Sequence, residues 1–138
     1  MTNTPVKTLG TFEPVSFPDF AVIGKVTAKI DTGAYSGALH CTKILLEETD
    51  RGEVLHFSPF DHPDMEISMT EFAVEHVRSS NGGRQSRYFI NTRIEIHGKT
   101  YPIVLSLADR TEMKWPVLIG RKFLSKNNFL VDVNRKSQ

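Results

Sequence analysis

Val26-Thr27-Ala28-Lys29-Ile30-Asp31-Thr32-Gly33-Ala34 is the stretch on which the reading of this chain turns. Val26, Ala28 and Ile30 alternate with Lys25, Thr27 and Lys29, the period-two signature of a half-buried strand. The strand runs straight into Asp31-Thr32-Gly33-Ala34, a carboxylate on a tight glycine-containing turn that Thr32 can anchor by hydrogen bonds. A lone Asp-Thr-Gly arises by chance in roughly a few per cent of chains this long. By itself it reads as an ordinary turn after a strand.

Downstream, residues 38–46 form an apolar stretch that leads through Thr49-Asp50-Arg51-Gly52 into residues 54–57, which predicts a hairpin across a glycine-containing turn. Asp61-His62-Pro63-Asp64 reads as a loop, and residues 66–77 as a strand broken by a bulge. Residues 79–86 contain no apolar side chain and carry Gly82 and Gly83 in tandem, the pattern of an exposed hairpin tip. Ile90, Thr92, Ile94 and Ile96 alternate, and after His97-Gly98-Lys99 the alternation resumes at Tyr101, Ile103, Leu105 and Leu107. This is the clearest hairpin in the chain. Pro116-Val117-Leu118-Ile119-Gly120 is a short apolar run, residues 121–126 suit about two helical turns, and Phe129, Val131 and Val133 predict a last strand. Residues 1–20, punctuated by Pro5, Gly10, Pro14 and Pro18, read as an irregular arm or short edge strands with few core contacts before Phe17. The prediction is one all-β domain over residues 21–138 with a single short helix, preceded by that arm.

Composition narrows the function. The chain has 138 residues, 39% of them hydrophobic and 24% charged, which is the balance of one globular domain able to bury a core without staples. Seventeen basic residues against 16 acidic ones leave a charge of +1, so no excess argues for nucleic acid or an anionic membrane as the partner. Cys41 is the single cysteine, which rules out an internal disulfide framework and a multi-cysteine zinc cage, and a cytoplasmic location is the expectation. Residues 1–20 hold no long apolar run and read as neither a signal peptide nor a membrane anchor.

Taken in order, Asp31-Thr32-Gly33-Ala34, the glycine tip, the pair Leu118-Ile119 with Gly120, and Arg121 opening a short helix resemble the retropepsins, the single-domain aspartic proteases typified by retroviruses. The motifs Ala28-Lys29-Ile30-Asp31-Thr32-Gly33-Ala34, Ala38-Leu39-His40, Leu107-Ala108-Asp109-Arg110 and Met113-Lys114-Trp115-Pro116-Val117-Leu118-Ile119-Gly120-Arg121 are similar to a bacterial branch of that family, often labelled "ATP-dependent zinc protease". The label implies zinc and ATP, yet the sequence has no His-Glu-x-x-His and no glycine-rich phosphate loop with lysine, so no cofactor and no metal are expected. The ATP wording fits an association with ATP-grasp ligases, enzymes that add amino acids such as glutamate to peptide ends.

The resemblance implies a closed β-barrel and a catalytic pair of aspartates that share one proton, because two carboxylates that close cannot both ionise. One chain supplies one such residue, so the resemblance implies a homodimer that sets Asp31 beside its two-fold mate. Thr32, Gly33, Ala34, Leu118, Ile119, Gly120 and Arg121 then support the catalytic loop. Gly82 and Gly83 are the bend of a flap that closes over a peptide or protein substrate. The loop at 60–65 is a second, weaker flap choice. Pepsin-like relatives place a serine where Ala34 stands, and alanine cannot donate to the ionised carboxylate. The expected pH optimum is therefore nearer neutrality than pepsin's.

Retroviral members carry acidic residues just after Asp-Thr-Gly-Ala, one of which pairs with the arginine after apolar-apolar-Gly; Tyr35 and Ser36 stand there in this chain. Arg121 is left to find Asp109 or a neighbouring protomer. His40-Cys41 reads as structural, since adjacent strand residues point to opposite faces, and Trp115 reads as core or interface packing. His56 and His62 read as surface groups. The competing functional readings are a non-catalytic dimeric peptide-binding module with a protease-like fold, and a zinc hydrolase built on His40, Cys41 and a carboxylate.

Overall fold

A computed structural model describes residues 7–78, 82–109 and 114–135. Among the described residues eleven strands and one α-helix carry the fold: β1 (Lys7–Leu9), β2 (Phe12–Val15), β3 (Val26–Ile30), β4 (Gly37–Thr49), β5 (Gly52–Pro59), β6 (Ile67–Met69), β7 (Ala73–Arg78), β8 (Arg84–Ile96), β9 (Lys99–Ala108), β10 (Val117–Ile119), α1 (Arg121–Lys126) and β11 (Phe129–Val131). Short 3-10 turns over Pro18–Ile23 separate β2 from β3.

The alternation read in the sequence sets which side chains enter the core. Ile90, Ile94 and Ile96 of β8 and Leu105 of β9 are essentially inaccessible, and they share one core with Leu39 of β4, Ala28 of β3, and Val117 and Ile119 of β10. The β8–β9 hairpin pairs from Ile96–Lys99 through Phe89–Ser106. Its turn places His97 at φ 51° and Gly98 at φ 79°. Both central residues are left-handed, which matches the twist of the two strands.

The large sheet runs β2-β3-β10-β4-β9-β8-β7, with β5 added to β4 and β6 to β5. It does not close into a barrel, contrary to the expected closed retropepsin-like barrel. The two flanks meet at one isolated bridge, in which the amides and carbonyls of Ser16 and Glu95 exchange bonds of 3.2 and 2.8 Å. β2 is only four residues long and contains Pro14, which has no N–H to donate, and the chain turns into the 3-10 segment two residues after β2 ends. A full strand pairing has no room to form there.

Two other sequence expectations are corrected. Leu9 and Val15 are fully buried, so core contacts begin well before Phe17. β1 pairs in parallel with β11, joining the start of the described chain to its end in a separate two-stranded sheet. Residues 66–77 are not one bulged strand: β6 pairs with β5 and β7 pairs with β8, so the phase change in that stretch marks a change of partner.

β10 lies parallel to β3, with Ile119 opposite Ile30, and antiparallel to β4, with Leu118 opposite Ala38. This central crossing positions the site. β3 delivers Asp31, β4 carries the chain away from it, and β10 delivers Gly120 and α1 beside it.

Candidate active site

Asp31 follows the last residue of β3, and its amide donates to the Ile119 carbonyl at 2.8 Å. The Ala34 amide turns back onto the Asp31 carbonyl at 3.2 Å, and the Gly33 amide donates to Asp31 Oδ1 at 3.1 Å. One carboxylate oxygen is thus held by its own loop. Asp31 is half-buried, while Thr32 and Gly33 are exposed, so the loop stands at the surface.

The opposite wall bolts the loop in place. The Arg121 and Lys122 amides donate to the carbonyls of Ala34 and Tyr35 at 2.8 and 3.1 Å. The Arg121 guanidinium donates to the Gly33 carbonyl at 3.3 Å and reaches the Thr32 carbonyl at 3.5 Å. Its carbon lies 5.5 Å from the centre of the Tyr35 ring. Asp109 makes no ion pair with Arg121, which overturns one of the two partners expected for that arginine. An arginine that cross-links two carbonyls of the loop stiffens the backbone beneath the acid.

Two glycines make this approach possible. A Cβ on Gly120 would stand 2.6 Å from the Tyr35 carbonyl oxygen and 2.7 Å from the Ser36 carbonyl carbon. A Cβ on Gly37 would stand 2.6 Å from the Leu118 carbonyl oxygen and 2.8 Å from Leu105 Cδ2. Gly120 was part of the sequence motif; Gly37 was missed. Its signal was a glycine at the first position of an apolar strand, where any side chain would ordinarily serve the core better.

Leu118 and Ile119 divide the work. Ile119 is fully buried, while half-buried Leu118 pairs across to Ala38. The Gly82–Gly83 tip is flanked by β7 and β8, which pair up to Arg78–Arg84, and Gly82 takes φ 87°. Residues 79–81 of that expected flap lie outside the described residues. The loop at 60–65 is less free than a flap needs to be: the Phe60 amide donates to the His40 carbonyl at 2.7 Å, and the Phe60 ring packs 6.2 Å from Phe17.

Groups that lie apart from the loop do other work. Cys41 is fully buried, and burial, with the Asp109 charge as a lesser cause, pushes its thiol up to about 12. A thiolate nucleophile is therefore not formed near neutral pH. His40 is also buried, with Nε2 3.6 Å from Asp61 and Nδ1 unpaired. Among the described residues no three histidine, cysteine, aspartate or glutamate side chains gather as a metal site. His56 is no free surface group: it sits between Glu47 at 2.8 Å and Ser68 at 2.7 Å. Trp115 is half-buried against Phe12, with ring centres 4.5 Å apart.

Beside Thr32 a groove of about 450 Å³ runs between α1 and β11, lined by Arg121, Leu124, Asn128, Phe129 and Leu130. Leu130 is 58% exposed. No helix among the described residues is long and apolar enough to cross a membrane.

Comparison with known proteins agrees with this fold. A solved Legionella pneumophila protein, described as of unknown function (DUF785), superposes with a TM-score of 0.73 at 25% identity, over 96% of this chain and 97% of that one. A Shewanella pealeana protein named "Probable alpha-L-glutamate ligase" is 29% identical over 90% of this chain, and one of the same name from Desulfotalea psychrophila is 27% identical over 84%. This chain spans only 28% and 26% of the length of those two relatives. The model of the RimB-like family, described as "Retropepsin-like aspartic endopeptidase RimB", matches residues 8–138, and a match over nearly the whole chain shows that the protein belongs to that family.

Proposed function

We propose that the protein is an aspartic peptidase that works as a homodimer, hydrolysing a peptide bond with a water activated between two Asp31 carboxylates. The observation that carries this reading is the Asp31 loop itself. A single acid is held by the Gly33 amide and braced from behind by the Ile119 carbonyl and Arg121, on a loop whose Thr32 and Gly33 face solvent. Such rigidity has a use in pre-organised chemistry and none in an ordinary turn.

The steps follow from sharing one proton between the two carboxyls. The ionised Asp31 accepts a proton from water as the water oxygen attacks the amide carbon, while protonated Asp31 of the partner subunit donates to the carbonyl oxygen. The tetrahedral diol then collapses: the C–N bond breaks, the leaving nitrogen receives a proton from the first carboxyl, and the second recovers the proton of the diol oxygen. In this reading the tip that bears Gly82 and Gly83 closes as a flap over the extended substrate and excludes water. The groove beside Thr32, with its exposed Leu130, supports a second copy at this face, since the dyad is incomplete without one.

The ligase names of the relatives, which contain this region as about a quarter of their length, support a substrate made by an ATP-grasp enzyme: an added amino-acid or peptide tail. The same names favour a second reading, in which the domain is a non-catalytic module that holds such a tail for a ligase. Asp31→Asn separates the two. It is expected to lower peptide hydrolysis at least a thousandfold with the circular dichroism spectrum unchanged, because an amide cannot cycle the proton; undiminished hydrolysis would remove the mechanism.

A further inference from the structure

The open flank between β2 and β8 leaves two opposite charges over. Along β8 and into its turn, Arg93, Glu95 and His97 alternate with the buried Thr92, Ile94 and Ile96. Acids from across the flank satisfy two of those three: the Arg93 guanidinium donates to Asp19 Oδ1 at 2.8 Å, and His97 Nε2 lies 2.9 Å from Glu13 Oε1. Glu95, between them, has no such partner. It is half-buried and its backbone is fixed by the bridge to Ser16, yet among the described residues its carboxylate meets neither a cation nor a hydrogen-bond donor. Lys25 mirrors it with the opposite sign. It precedes Val26, which pairs with Val15, so the ladder sets it beside Ser16, and its ammonium is likewise without a partner among the described residues.

Both side chains line one cavity of about 430 Å³, whose other walls are Ser16, Phe17, Pro18 and Gly24. The same lysine, acid and Ser16 also border a smaller recess of about 180 Å³ that reaches His97. The larger volume is that of an ordinary small-molecule site. It is edged by one cation and one anion that do not pair with each other, and none of its other walls is charged. We propose that this cavity binds a free α-amino acid, with Glu95 taking its ammonium, Lys25 its carboxylate, and Phe17 and Pro18 an apolar side chain. A ligand of single charge satisfies one residue and strands the other, whereas a small zwitterion satisfies both. Asp31 stands past the other end of β3, about 20 Å away at the ordinary rise of a strand, so the site is separate from the acid and does not depend on the peptidase reading.

The test is calorimetry and amide NMR of the full chain with leucine, with N-acetyl-leucine, which lacks the ammonium, and with leucinamide, which lacks the carboxylate. Leucine is expected to bind with a Kd of about 1 mM and each analogue about tenfold more weakly, the effect of losing one charge-assisted contact. The amide signals of Ser16, Gly24, Lys25 and Glu95 shift on binding, and those of residues 31–34 do not. In Glu95→Gln, leucine binds as weakly as N-acetyl-leucine binds the wild type and acetylation costs nothing further, while the preference for carboxylate over amide is kept. Lys25→Gln shows the converse. Wild-type protein that binds leucine no better than the analogues, or not at all at about 10 mM, overturns the proposal. So does binding that shifts residues 31–34 in place of the flank, or a pair of variants that both keep the wild-type discrimination. The comparison of leucine with its analogues needs no variant, so it decides the matter where a substitution disturbs the flank.

Discussion

Gly120 shows how a residue with no side chain determines a site. The atoms that a Cβ would strike are backbone atoms of Tyr35 and Ser36, which cannot step aside as the end of a flexible side chain can. Gly120→Ala is expected to cost about 3 kcal/mol, at the upper end for overpacking, and to lower Tm by about 10 °C in calorimetry; an unchanged Tm would mean that the strand and helix part easily. Cys41 gives a chemical counterpart. With its thiol pushed up to about 12 and no exposed surface, it is expected to resist a thiol-exchange reagent at pH 8 until the protein is unfolded. Rapid labelling of the native protein would show that β4 opens. Asp31, Thr32 and Gly33 were legible because a short motif followed an alternating strand. Gly37 and the fully buried Glu13 were not, because their roles depend on atoms far along the chain: Leu118 and Leu105 for the glycine, and His97 for the acid, whose other oxygen accepts from the nearby Gly10 amide.

At the scale of elements, the 3-10 turns after β2 are tied to β8 by Asp19. Its carboxylate accepts from the Thr92 hydroxyl at 2.7 Å and from the Arg93 guanidinium at 2.8 Å, and the Arg93 bond chiefly, with that of Thr92, holds its pKa below the ordinary 3.8. A carboxyl lowered in the folded state stabilises the protein above its unfolded pKa, and that contribution fades as pH falls through the folded value. The stability gap between wild type and Asp19→Asn is therefore expected to be constant near neutrality, about 0.5–1 kcal/mol for a partly exposed pair, and to shrink as the pH drops below 3.8. Urea titrations at several pH values measure it, and a gap that widens in acid would contradict the assignment. Period-two alternation made the β8–β9 hairpin readable, since one face of each strand is buried and the other wet. The same rule failed over residues 66–77, where a single shift of phase records two strands with different neighbours. Periodicity reports which face is covered and not which strand covers it. The open flank between β2 and β8 was illegible for that reason too, because it depends on where a four-residue strand ends relative to one far along the chain.

On the function proposed above, the molecule as a whole presents half of a catalytic device. The crossing of β3, β4 and β10 places one half-buried acid on a surface loop, with α1, β11 and a groove beside it. In the function proposed above a second copy supplies the aspartate that shares its proton, and that is the central claim. The direct measurement is peptide hydrolysis by wild-type protein mixed with increasing amounts of Asp31→Asn and allowed to exchange subunits at constant total concentration. If both acids belong to one centre, mixed dimers are dead and activity follows the square of the wild-type fraction, falling to about a quarter at equal amounts. Activity that falls only in proportion to the wild-type fraction, to a half, would show that each chain acts alone.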